Sequence, residues 1–162
     1  MSTIIEGLLF GWAKNLTYGT KLIADLSDEQ MTAQPAPGTN HPAWIFSHLE
    51  AYHPVIVALI RGEAFDDPKE HRFGMLSKPE SDASLYASRE RLQAAWNEGH
   101  AQVAQALGEQ GEVALERGVK LERWKPIMPK VGIALPYLML VHENTHLGQL
   151  SAWRRVQGLP SV

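Results

Sequence analysis

Val141-His142-Glu143-Asn144-Thr145-His146-Leu147-Gly148-Gln149-Leu150 sets two imidazoles four residues apart. At 3.6 residues per turn, positions i and i+4 stand one above the other on a single helix face. The surrounding stretch, about Ala134 to Gln157, repeats Leu138, His142, Thr145, His146, Gln149, Trp153 and Val156 at helical spacing. Pro136 sits in its opening turn, and Gly158 followed by Pro160 stops it. A helix carrying two histidines on its inward stripe can give two ligands to one metal ion. The same spacing predicts packing against other helices of like pattern.

Three more such helices precede it. The first runs from about Thr3 to Asp25, with Ile5, Leu8, Leu9, Trp12, Leu16, Leu22 and Ile23 forming its stripe. Ser27 and Gln30 resemble a capping box, and Gln34 to Asn40 holds two prolines and a glycine, a loop. The second helix opens at Asn40 as N-cap with Pro42 in its first turn, and ends near Arg61-Gly62. Its stripe is Ile45, His48, Leu49, Tyr52, Val55, Ile56 and Leu59, and Pro54 predicts a kink. Residues 63–80 read as a surface connection; the third helix runs from Ser81-Asp82 to about Leu107, with His100 near its buried side. Alternation around Arg117-Gly118 predicts a small hairpin between Val113 and Glu122. The fold class is therefore all-α, a four-helix bundle filling residues 1–162 as one domain, with connections long enough for crossovers.

Composition narrows the function. A net charge of −3 with no Lys/Arg run provides no basic footprint for nucleic acid. The absence of cysteine excludes disulfides, thiolate metal sites and a cysteine nucleophile, so any thiol must arrive with a ligand. No apolar run approaches the roughly 20 residues of a membrane span, and Met1-Ser2-Thr3-Ile4-Ile5-Glu6 lacks the charged region of a secretion signal. A cytoplasmic protein without membrane or nucleic-acid partners is expected.

His142-Glu143-x-x-His146 matches the zinc-protease signature literally. That reading requires a downstream third ligand, and residues 147–162 contain no His, Asp, Glu or Cys. Glu143 is also turned about 100° from His142 around the helix and is expected as a solvated surface charge. A third protein ligand must come from upstream. His48 and His100 are the candidates, and periodicity does not separate them. His53 lies about 140° around from His48 and reads as peripheral; His71 falls in a loop.

Pro35-Ala36-Pro37-Gly38-Thr39-Asn40-His41-Pro42-Ala43-Trp44-Ile45-Phe46-Ser47-His48-Leu49, together with His142-x-x-x-His146-x-Gly148-Gln149-Leu150-x-x-x-Arg154-Arg155-x-x-Gly158, resembles the two halves of the DinB/YfiT family pattern. Leu26-Ser27-Asp28-Glu29-Gln30 is similar to that family's lead-in. The resemblance implies a bundle of up-up-down-down topology, a homodimer, and a divalent metal held by three histidines, here His48, His142 and His146. It also implies transferase or isomerase chemistry that uses a low-molecular-weight thiol.

Three neutral imidazoles leave open positions on an ion, as in catalytic rather than closed structural sites. Zinc is the first choice of metal, with nickel or iron as alternatives, since imidazole suits all of them. An ion that keeps its double charge acidifies a bound thiol or water. Thiol transfer to an electrophilic small molecule, metal-dependent hydrolysis, and a non-catalytic metal-binding bundle all stay open. Gln149 and Tyr52, one turn from His146 and His48, are candidate supporting residues, as is Glu143 if its helix is rotated. Gly148 is expected at a close helix approach, and Arg154 and Arg155 at the negative end of the helix dipole.

Overall fold

The computed structural model describes residues 2–162. Four long helical segments, α1 (Thr3–Ile23), α3 (Pro42–Arg61), α4 (Arg89–Gln110) and α7 (Glu143–Val156), are joined through short helices α2 (Asp28–Met31), α5 (Glu112–Leu115) and α6 (Val131–Pro136). A π-helical stretch, Tyr137–His142, connects α6 to α7 without a break. Pro136 removes the amide that would bond the Gly132 carbonyl, and the backbone widens immediately after it.

Side-chain pairings give the helix directions. Phe46 meets Trp96, His53 meets His100 and Arg61 meets Glu109, so α3 and α4 are parallel. Trp12 bonds the His100 carbonyl while Arg89 bonds that of Ala24, so α1 and α4 are antiparallel. Asn15 bonds Met139 and Arg154 bonds Leu22, so α1 runs parallel to the last helix. The order is up-down-down-up, not the expected up-up-down-down. Only the connection between α3 and α4 has to travel the length of the bundle, and it does so along α3. Phe73 reaches His48, Ser77 reaches Trp44, and Glu80 reaches His41.

Local signals set several boundaries. Ser27 and Gln30 form the capping box in both directions. Gly62 ends α3 with φ 71°, a left-handed conformation that suits glycine. The N-cap of α3 is His41, not Asn40: its Nδ1 accepts from the Trp44 amide. Asp82 caps only the 3₁₀ turn Ala83–Leu85, and α4 starts at Ser88, seven residues later than expected. The hairpin is absent. Val113 lies in α5, and the bridge that does form, Gly118 to Lys130, closes a longer loop around Trp124.

Two hydrophobic clusters fill the bundle. One holds Ile5, Leu8, Trp12, Leu59, Val103, Leu107 and Met139; the other holds Leu22, Ile23, Phe46, Trp96, Leu150 and Trp153. Each fully buried large side chain contributes about 1.5–3 kcal/mol. Helix α3 meets the length and hydropathy of a membrane span, contrary to expectation, but 78% of that window is buried inside the bundle. Its apolar faces are covered by its neighbours, as befits a core helix. Among the described residues, His53, His100 and Glu143 are buried polar side chains between the two clusters, with Asn15 beside them.

Candidate metal centre

The π-helical stretch decides what α7 presents. Downstream of it the buried positions are Glu143, Leu147, Leu150, Trp153 and Arg154, while Thr145 and Gln149 are exposed. The core row runs Leu135, Met139, Glu143, Leu147 at four-residue spacing, and His142 and His146 sit half-buried beside it. Glu143 is thus an interior residue, not a surface charge.

His48, His142 and His146 each offer a ring nitrogen, and the three nitrogens lie within 4.8 Å of one another, so the group could hold a metal ion. The Nε2 atoms of His48 and His142 are 3.1 Å apart. A tetrahedral ion with bonds of about 2.0–2.1 Å sets its ligand atoms about 3.3–3.4 Å apart, so the spacing fits.

Hydrogen bonds on the far side of two rings orient them. His48 Nδ1 donates to the Phe73 carbonyl at 2.6 Å, which leaves Nε2 as a lone pair facing its partners. His146 Nδ1 donates to Gln149 Oε1 at 3.1 Å, and Asn40 Nδ2 donates to the same oxygen at 3.0 Å. Burial is the main cause that lowers all three imidazole pKa values, assisted at His48 and His142 by neighbouring imidazoles. His48 falls to about 4 and His142 to about 3. At neutral pH the rings stay uncharged, the form that binds metal.

The group forms one wall of an open cavity of about 780 Å³. Trp44 stacks on His48 at 4.9 Å, and Tyr52 lies 5.1 Å from His48 and 4.7 Å from His142. The opposite wall comes from the 111–130 connection, with Trp124, Ile127, Met128 and Arg123, whose guanidinium pairs with Asp67 through two hydrogen bonds of 2.5 and 2.6 Å. Arg123 and Trp124 were not legible as pocket residues, because that segment has no regular periodicity to orient it.

Glu143 does not join this group. It lies with His53 and His100 in a second set whose ligand atoms are also within 4.8 Å of one another. Burial pushes the Glu143 carboxyl well above its ordinary range, partly offset by Asn15, and pushes His53 to about 4 and His100 to about 2. His53 is therefore a core residue rather than a peripheral one. It fits because residue 99 is glycine: a Cβ there would stand 1.8 Å from His53 Nδ1. Gly148, expected at a close approach, has nothing within 4 Å of its would-be Cβ.

The sequence pattern of the DinB superfamily matches residues 15–150. The chain belongs to the DinB superfamily. A crystal structure described as the conserved protein of a locus from Enterococcus faecalis is similar to this DinB-superfamily chain with a TM-score of 0.76. The two are 15% identical, over 96% of this chain and 98% of that one, a likeness that speaks for the fold alone. No curated protein matches the chain in sequence.

Proposed function

We propose that this DinB-superfamily protein is a metal-dependent enzyme in which His48, His142 and His146 hold a divalent ion, and that a small-molecule thiol reacts there with an electrophilic substrate. When bound, the ion supplies a Lewis acid that favours the thiolate form of a thiol at its open face. The observation that carries the reading is the convergence of three neutral imidazoles on the wall of an open cavity.

The chain's own residues supply orientation and shape. The Phe73 carbonyl and Gln149 hold two of the rings in the tautomer that faces inward. Burial raises the Tyr52 pKa, so its hydroxyl stays protonated and can donate to a bound molecule. Trp44, Trp124 and Met128 make walls suited to a flat, largely apolar substrate. Arg123 contributes the positive charge on that side, already shared with Asp67.

The test is metal analysis of untagged protein beside His48→Ala and His146→Ala, followed by a screen of thiols against electrophiles. Each variant is expected to lose one equivalent of metal per chain relative to the parent and to lose thiol-dependent turnover. Turnover by the parent without added thiol would replace this reading with a hydrolase. Full metal content in both variants would remove the site.

A further inference from the structure

Each long helical segment places one buried polar residue at the same level of the bundle: Asn15 on α1, His53 on α3, His100 on α4 and Glu143 on α7. Along α1, α4 and the last helix that residue falls where one hydrophobic cluster gives way to the other, and on α3 it falls just past that change. Trp12 precedes Asn15 and Leu22 follows it; Leu49 and Tyr52 precede His53, with Val55 after it; Trp96 and Val103 bracket His100; Met139 and Leu147 bracket Glu143. A layer of this kind is costly in a core. Apolar residues would pack there with no desolvation penalty, so its polar atoms call for partners.

Those partners are missing among the described residues. Both ring nitrogens of His53, both of His100, and Oε1 of Glu143 are buried with no hydrogen-bond partner among the described residues. The remaining carboxylate oxygen, Oε2, stands 3.3 Å from His100 Nε2 and 3.8 Å from His53 Nε2. These separations bracket the edge of a tetrahedron about an ion with ligand bonds of about 2.0–2.1 Å.

We propose that His53, His100 and Glu143 form a second metal centre that takes a divalent first-row cation, zinc or iron(II), in the middle of the bundle. Two imidazoles and one carboxylate are a donor set that suits both ions. Glu143 Oε1, itself without a partner, is available to complete the set. The ion links α3, α4 and α7 at one level and fixes the rotation of α7 directly beside His142.

A surface cleft reaches one edge of the site, at His53. A cleft of about 540 Å³ opens between α3 and α4 and has His53 and Gly99 on its wall. Glu50 and Glu98 also line it, so the cleft draws cations toward the His53 edge of the site. Trp12 closes the other side, stacked on the His100 ring at 3.9 Å.

The experiment uses full-length protein stripped with chelator, dialysed, and reloaded with zinc alone. The parent is expected to bind two equivalents per chain. The double variant H48A/H146A, altered only at half-buried or cavity-facing positions, is expected to bind one. Zinc is expected to raise the melting temperature of that double variant, and adding Glu143→Gln to abolish the rise. One equivalent in the parent and none in a folded double variant would overturn the proposal, with a proton shared between Glu143 and His100 in place of an ion. Should the double variant fail to fold, the parent's stoichiometry decides: two equivalents support the second centre and one refutes it.

Discussion

Gln149 Oε1 accepts a hydrogen bond from His146 Nδ1 at 3.1 Å while Asn40 Nδ2 holds the same oxygen from the opposite side. The amide therefore presents its oxygen, not its nitrogen, to the imidazole, and the Nε2 lone pair is left for a ligand. Gln149→Leu is expected to weaken metal binding by the three-histidine group about 10- to 100-fold with helical content unchanged. Gln149→Glu retains the acceptor and is expected to keep most of the affinity. Competition against a chromophoric chelator measures both, and equal affinities for the two variants would contradict the orienting role.

Arg154 is one of the most buried side chains in the protein, contrary to a simple role at the helix terminus. It bonds the Asp25 carboxylate through two nitrogens and also the carbonyls of Leu22 and Pro160. This arginine holds Asp25 below the usual carboxylate range. Asp25→Asn leaves a buried guanidinium with its carbonyl partners but no counter-charge. Since Asp25 is itself half exposed, the loss is expected to be modest, about 1–2 kcal/mol in urea unfolding. A loss below a few tenths of a kcal/mol would show that the carbonyls alone satisfy the arginine.

How much of this was legible follows from how local each signal is. Ser27, Gln30 and Gly62 act within one turn, and their roles can be read from neighbours in sequence. His48, His142 and His146 lie on periodic helices, so spacing and family resemblance place them together. Asp82 and Ser88 are both good caps, and nothing local chooses between them. The choice falls to Ser88, where Asp28 also accepts from the Arg89 amide across the bundle. Glu143 and His53 were misread because each was placed by its angle from a single histidine stripe, whereas α3 is buried around most of its circumference and the last helix turns Glu143 inward. The row Met139, Glu143, Leu147 also has four-residue spacing, but only tertiary packing shows that it, rather than the row through His142 and His146, faces the core.

His41 couples acid to the start of α3. Its Nδ1 accepts from the Trp44 amide, a bond that requires the neutral ring, while its Nε2 donates to the Glu80 carbonyl in either protonation state. Burial lowers its pKa below the ordinary 6.5. The unfolded chain therefore binds a proton first as the pH falls, and this contribution to stability declines from about pH 6.5 down to the folded pKa, then stays level. In His41→Asn the cap persists without the titration. The unfolding free energy of the parent relative to this variant is expected to drop between pH 7.5 and pH 5. A difference independent of pH would rule out the coupling.

Gly99 and Gly108 lie on the same helix, α4, and the same substitution should act on them with opposite sign. Nothing stands within 4 Å of a Cβ built at Gly108, so alanine there removes backbone freedom from the unfolded chain and adds helix propensity. Gly108→Ala is expected to stabilise by about 0.5–1 kcal/mol. At Gly99 the new methyl meets the His53 ring at 1.8 Å from Nδ1 and 2.5 Å from Cγ. That ring cannot retreat, because Trp12, Trp96 and His100 surround it at centroid distances of 5.3–5.7 Å. Gly99→Ala is therefore expected to cost about 1–3 kcal/mol despite the better helix propensity. Thermal melting of the two variants side by side gives the comparison. Stabilisation by both would mean that His53 yields easily and that its seat against α4 is not needed to hold the polar layer in place.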